Sequence, residues 1–449
     1  MSVLTDVVIS QVTDQGFGVA DLNGRSVYVD RTYTGEKVRV RIIEEHPTYY
    51  NAHLVEVLEA SPFRIEPECC YSSCGGCAFN FIDSKELLKL KNEFLLSCLK
   101  EQCVKFDCIL PECSGMYDFP GYRNKAIYYV RAQNGKFVIG FFSKNSHDVV
   151  EIYGCIMEPD FVSCANEIIA KWAEDFNIHA FDESTGRGLI KNIIYRSGEG
   201  TGERMLVVVA TDFQIPNLDE LMLRLEPLKF TSVWICRNKS LGNSIWTDEL
   251  KKISGKEHIY TCLAGLKYEI SARSFLQLNI KQCEKLYGLV LEFADVKSSD
   301  VVFDLYCGIG TITLKLAQKA RKVYGIEIVP EAVKNAVRNA ELNDLRNVEF
   351  IEGKSETVCE ELVNKKQIRA DIVVVDPPRK GCDSSLINTL IFLNPEKIVY
   401  VSCNPKTLAR DLKLLESDYK ITKIATVDMF PNTLHVETVV LLSREKQNG

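Results

Sequence analysis

Val301-Val302-Phe303-Asp304-Leu305-Tyr306-Cys307-Gly308-Ile309-Gly310 reads as a strand that runs into a tight turn. A β-branched run ends on an acid, and the two glycines then let the backbone turn sharply and pass close to a ligand. The same grammar repeats downstream: helical spacing over 311–320, a strand over 323–327, a helix over 330–342 and a strand over 348–351. After these come a strand at 371–376, a helix from 383 and a strand at 397–401. Strands separated by helices predict an α/β fold with a parallel, doubly wound sheet, which binds ligands at the carboxyl ends of its strands. Asp304, Glu327, Asp376 and Cys403 all fall at such ends.

Thr313 stands where a dinucleotide fingerprint would place its third glycine, which argues against a pyrophosphate-bearing cofactor. Glu327 closes the next strand, where a carboxylate can accept both hydroxyls of a ribose. Tyr306, Gly308, Gly310 and Glu327 therefore mark a nucleoside-cofactor site. Gly353-Lys354-Ser355 mimics the end of a phosphate loop, but Val348 occupies the position of the required upstream glycine. Two further islands follow, Ser402-Cys403-Asn404-Pro405 and His435-Val436-Glu437. Taken singly they read as a buried thiol and an edge-strand carboxylate. Beside a cofactor turn they supply a nucleophile and a base, the pair that covalent methyl transfer needs.

The chain has 449 residues, enough for two to four domains. With 46% hydrophobic residues and a mean hydropathy of −0.05, it reads as a globular protein. No apolar run approaches the roughly 20 residues that span a bilayer, and residues 1–10 lack signal-peptide features, so a cytoplasmic monomer is expected. A net charge of −7 argues against a nonspecific nucleic-acid coat. It leaves room for a selective RNA enzyme with local basic residues such as Arg123, Lys125, Arg131, Lys136 and Lys144, which read equally well as solvated surface. Seventeen cysteines, an odd number, cannot all pair within the chain, so metal binding or catalysis must use some of them. Cys98 and Cys283 lie in helical apolar patterns and read as small buried hydrophobes.

N-terminal to the doubly wound region, residues 7–57 alternate apolar and polar with glycine turns, which predicts a barrel of OB type. Such a barrel either carries an oligonucleotide or only packs on its neighbour. A cysteine-rich stretch at 69–77 is followed by a predicted amphipathic helix over 84–102, N-capped by Ser84, that packs on the catalytic unit. Residues 116–260 mix strands at 126–130 and 205–209 with a helix at 165–175, a middle α/β domain. The expected units are 1–60, 61–260 and 261–449.

The cofactor turn, Asp376-Pro377-Pro378-Arg379-Lys380-Gly381, the Cys403 island and the Glu437 island converge, in order after Ser274-Phe275-Leu276-Gln277-Leu278-Asn279. This set resembles the S-adenosylmethionine-dependent RNA 5-methyluridine methyltransferases over nearly the whole chain. The resemblance implies a Rossmann-like class I methyltransferase domain, with Gln277 and Asp376 joining the cofactor site. Residues 1–60 resemble the TRAM barrel and 69–77 an iron-sulfur site, both typical of the branch acting on 23S ribosomal RNA. The implied [4Fe-4S] ligands are Cys69, Cys74, Cys77 and Cys155. The family usually leaves five residues between its first two cluster cysteines, whereas four separate Cys69 from Cys74 and three separate Cys70 from it. Cys69 is the closer match. By spacing alone the four thiols suit zinc as well as an iron-sulfur centre. Ser271-Ala272-Arg273 lacks the family's frequent proline, and Lys191-Asn192 replaces a common Arg-His, so RNA contacts there do not transfer.

The resemblance implies that Cys403 adds to C6 of uracil and that Glu437 removes the C5 proton. Arg379 after the two prolines, with a cysteine one strand later, separates this pattern from amino-group methyltransferases. Cytosine-C5 enzymes commonly place their cysteine after a proline near Asp376. The competing readings are a tRNA uridine methyltransferase and a noncatalytic RNA-binding or iron-sulfur sensing protein.

Overall fold

The computed structural model describes residues 4–116, 120–133, 135–144, 146–242 and 244–444. Residues 1–3 of the expected first unit and 445–449 of the third lie outside them. The doubly wound sheet forms as expected. Its strands run in the spatial order Val348–Glu352, Lys322–Glu327, Val301–Leu305, Ile372–Val375, Lys397–Ser402, Glu437–Arg444, Tyr419–Val427. The first five are parallel, and Glu437–Arg444 runs antiparallel to both its neighbours. Val301–Leu305 and Ile372–Val375 are buried at every residue, which is why they read as continuous apolar runs and not as alternation.

Helices Ile280–Ala294 and Thr311–Ala317 cover one face, where Leu286, Val290, Ile312 and Leu316 share a core with Val302, Val374 and Val399. Helices Ser355–Asn364, Ser384–Leu393 and Pro405–Leu415 cover the other, around Phe303, Val373 and Tyr400. Chain order reverses between Val301–Leu305 and Ile372–Val375, so the connections that follow these strands diverge and leave a crevice. The crevice is the candidate site.

At the N-terminus, Leu4–Val8 pairs with Lys37–Glu45, and two residues later Gln11–Val12 pairs with Phe17–Leu22. This change of partner bends one strand across both edges of a six-stranded sheet and closes it into a barrel around Val7, Val27, Val29, Val38 and Val40. The middle sheet has seven strands and uses both faces. Ile193, Tyr195, Leu206 and Val208 pack with helix Phe161–Asp175, while Ile194, Met205, Val207 and Val209 join the core that contains Tyr268 and Leu276. That period-two split makes the middle sheet continuous in packing with the catalytic unit. The hairpin Ile259–Leu263 with Leu266–Ile270 spans the expected boundary and belongs to the same core.

Helix Ser84–Glu101 places Leu95, Cys98 and Leu99 in the core of the second face. Its cap is Asp83, not Ser84: the Asp83 carboxylate accepts from the backbone N–H groups of Lys85 and Glu86. At that position the carboxylate also faces the positive end of the helix. Helix Phe161–Asp175 likewise begins earlier than the expected 165. Cys98 and Cys283 are both buried.

Candidate active site

One cleft of about 1410 Å³ opens at the carboxyl ends of the parallel strands and brings together Cys403, Glu437, Asp376, Gln277, Tyr306, Gly308 and Glu327. At the turn, Tyr306 has φ +65°, Gly308 +55° and Gly310 +85°. The left-handed region costs a side-chain-bearing residue roughly 1–3 kcal/mol, so Tyr306 is held there by its surroundings. A Cβ on Gly308 would meet nothing within 4 Å, which leaves open space for a ligand. A Cβ on Gly310 would lie 2.9 Å from the Phe350 ring. Gly310 thus serves helix packing and does not line the cleft.

Glu327 accepts the Gly308 N–H at 3.1 Å through Oε2 and the Val329 N–H at 2.9 Å through Oε1. The strand-end carboxylate is therefore fixed on the turn, next to exposed apolar Ile328 and Val329. Thr313, in the place of the missing glycine, donates to Asp304 Oδ2 at 2.5 Å, whereas buried Asp304 Oδ1 has no partner among the described residues. Burial pushes the Asp304 carboxyl up to about 7. Open backbone at Gly308, an orphaned buried acceptor and a fixed strand-end carboxylate fit a nucleoside bearing positive charge.

Strand register assembles the other half of the site. Lys397–Ser402 and Glu437–Arg444 are antiparallel with Ser402 opposite Thr438, so the next step along each chain puts Cys403 beside Glu437. Facing residues in such a pair have Cβ atoms about 5 Å apart. Three members of the Ser-Cys-Asn-Pro island have a local structural reason. Ser402 Oγ accepts the Asn404 N–H, Asn404 caps helix Pro405–Leu415 through the Lys406 N–H, and Pro405 occupies its first turn. The Asn404 amide also donates to Arg379 O at 2.9 Å, fastening the Asp-Pro-Pro-Arg loop to the cysteine loop.

The electrostatics are those of crowded acids set deep in the cleft. Burial pushes Asp376 up to about 7. Burial, then the charge of Asp376, pushes Glu437 up to about 8, opposed by Arg379 and Lys91. The Cys403 thiol is raised to about 11 by burial and by Glu437 and Asp376, with Arg379 acting the other way. A cation entering this cleft favours the ionised form of all three groups.

Cys69, Cys74, Cys77 and Cys155 gather on loops. Burial pushes Cys77 up to about 12, with further upward pulls from Cys155, Cys74 and Cys69, while the Arg123 guanidinium acts against them. Cys155 rises to about 11, again chiefly through burial. Cys69 acts on Cys74 as well, whereas neighbouring Cys70 is exposed. Among the described residues, no three His, Cys, Asp or Glu side chains converge closely enough to hold a metal ion. The four thiols are neighbours that do not converge.

Three residues carry more than the sequence reading gave them. Asp304 was placed only at a strand end, and Arg379 served only to separate chemistries. Lys91 was passed over, although it falls four residues after Leu87 and four before Leu95, on the apolar stripe of its helix. A lysine on that stripe is the signal that could have found it.

The family model described as tRNA (Uracil-5-)-methyltransferase matches residues 246–445, and that of the TRAM domain matches residues 5–55. A Clostridium tetani protein described as an uncharacterized RNA methyltransferase is 39% identical over 442 residues, covering 98% of this chain and 96% of its own. A Bacillus cereus protein of the same description is 38% identical over 445 residues, with 98% and 96% covered. Among solved structures, the Pyrococcus abyssi tRNA (uracil-54, C5)-methyltransferase in complex with S-adenosyl-L-homocysteine superposes with a TM-score of 0.79 at 27% identity, over 98% of this chain and 100% of that one. No helix among the described residues is long and apolar enough to cross a membrane. With relatives alike over nearly its whole length, the chain belongs to the S-adenosylmethionine-dependent RNA uracil-5 methyltransferases.

Proposed function

We propose that the chain methylates C5 of a uridine in 23S ribosomal RNA through a covalent bond between Cys403 and C6. The observation that carries this reading is the register that sets Cys403 beside Glu437 in the cleft shared with Asp376. Glu327 would hold the cofactor's ribose, Gly308 would let it approach the backbone, and Tyr306, Gln277 and Asp376 would surround it. When bound, S-adenosylmethionine supplies an electrophilic methyl group and a positive sulfonium charge.

The C5 carbon of uracil is a weak nucleophile. Once the Cys403 thiol has lost its proton to water, its sulfur bonds to C6, the C5–C6 double bond opens and its electrons become available at C5, which takes the methyl group. Glu437 then removes the proton left on C5, the sulfur leaves C6 and the double bond returns. Burial in the free cleft favours the neutral Glu437 carboxyl and the Cys403 thiol, and the positive charge of a bound cofactor would favour their ionised forms. A base inside folded RNA must be unstacked to reach this depth.

The same reading gives Cys69, Cys74, Cys77 and Cys155 to a [4Fe-4S] cluster, zinc being the alternative. An all-thiolate donor set beside the Arg123 guanidinium suits a centre of net negative charge. A second substrate reading, a tRNA uridine, is favoured by one observation: the Pyrococcus abyssi tRNA enzyme matches 98% of this chain.

The two are separated by mapping 5-methyluridine in ribosomal and transfer RNA after deleting the gene and restoring it as wild type or Cys403→Ala. The expected result is a 23S site lost on deletion and regained with wild type alone. A site lost from tRNA instead would select the second substrate, and restoration by Cys403→Ala would remove the covalent mechanism.

A further inference from the structure

Between strand Tyr419–Val427 and Glu437 runs a loop, residues 428–436, whose ends meet because Val427 pairs with Glu437. Its carboxylate, Asp428, is buried and forms an ion pair with Lys91 of helix Ser84–Glu101. The Lys91 side chain has 0% exposure, and its Nζ also donates to Phe430 O at 3.1 Å and to His435 O at 2.8 Å. One ammonium thus uses its three protons on the start, the turn and the end of a single loop. Gln282 donates to Asp428 O at 2.9 Å and Asn279 to Met429 O at 3.3 Å, but both hold only the start. Towards the end, Phe79 N–H bonds Asn432 O at 3.0 Å and Leu434 and Val436 pack in apolar clusters, while the side-chain hydrogen bond from outside the loop that lies nearest Glu437 is that of Lys91 to His435 O, two residues before it.

A buried lysine loses side-chain entropy and hydration, so a position that needed only packing would be filled more stably by leucine or methionine. We propose that Lys91 is a positioning residue for proton removal, clamping the loop so that Glu437 meets the C5 proton. The inference rests on the reading of Glu437 as the base. The charged or titratable groups acting on Glu437 are Asp376, Arg379 and Lys91, with Cys403 and Cys283 coupled to it in turn. Lys91 contributes positive charge that favours the ionised carboxylate.

The test uses full-length enzyme, S-adenosylmethionine and total RNA labelled with [5-³H]uridine from cells lacking this gene. Tritium released to water reads proton removal, and denaturant-resistant protein–RNA complexes read the adduct. Lys91→Met is expected to slow tritium release on the order of 10²-fold, the cost of a misplacement near 1 Å, while the adduct accumulates. The pH midpoint of release should rise. Lys91→Met with Asp428→Asn buries no unpaired charge and carries the test if the single variant does not fold. A folded double variant that still releases slowly and at a raised midpoint supports the clamp. Wild-type release and midpoint in the double variant would overturn it, as would failure of both variants to fold, since Lys91 would then be structural only. Wild-type enzyme that forms no adduct would instead sink the catalytic reading beneath it.

Discussion

Two groups of cysteines in this molecule are assembled by different physics. Cys403 meets Glu437 because two paired strands end side by side, so the ladder that stabilises the sheet also fixes the site. Cys69, Cys74, Cys77 and Cys155 are brought near one another by loops tethered at a few points. Gly75 N–H bonds Phe142 O at 3.1 Å, Phe79 N–H bonds Asn432 O at 3.0 Å, and Arg31 reaches Ser72 O at 3.1 Å. Those tethers join barrel, middle sheet and catalytic unit, yet they leave the thiols short of convergence. A site built on sheet ends is organised before its ligand arrives, whereas one built on loops takes its final geometry from ligation.

The sharpest way to break this contrast is at the sheet end. Glu437→Gln keeps the shape and removes the base, so turnover should fall by about 10²–10⁴ while the protein–RNA adduct accumulates in single turnover. Normal turnover would end the claim that the register of the two strands brings a base to Cys403. The loop site should respond differently. On the proposed cluster reading, Cys77→Ser is expected to cut bound metal by at least about tenfold, a cost typical of damage to a metal site, and to expose residues 69–79 to protease. Turnover per folded molecule should fall less than in Glu437→Gln. Metal analysis and limited proteolysis check this, and a Cys77→Ser loss as deep as that of Glu437→Gln would mean that the two sites are one mechanical unit.

The same contrast explains what the sequence disclosed. The strand ends were legible because fully buried parallel strands write themselves as Val/Ile runs, and residues just past such runs must lie at the crevice. Asp376 and Cys403 could be placed from that rule alone. The facing of Cys403 and Glu437 needed the register of Ser402 against Thr438, which depends on a partner some thirty-five residues away and leaves no local mark. Thr313 looked like a defect in a glycine fingerprint and is instead the donor to Asp304. Lys91 was hidden for the opposite reason, since its partners lie more than three hundred residues further on. Asp83 displaced Ser84 as the helix cap because adjacent residues of similar capping strength are separated only by backbone geometry.

The smallest expected effect concerns stability. Asp376 is raised from an ordinary 3.8 to about 7 by burial, so between those values the folded chain holds a proton that the unfolded chain has lost. Folding then binds protons, and stability falls as pH rises through that window. Asn mimics the neutral acid at every pH. Asp376→Asn should therefore melt a few degrees above wild type at pH 8, with the advantage shrinking as pH falls and vanishing only well below 3.8, where the acid is protonated in both states. Asp428 is also raised by burial, but it faces Lys91, so Asp428→Asn should lower the melting point by leaving a buried ammonium unpaired. Melting curves of the two variants at pH 5 and pH 8 check the pair. If Asp376→Asn were no more stable than wild type at pH 8, the acids of the cleft would not be strained by their burial. The cleft would then have no reason to await a cation.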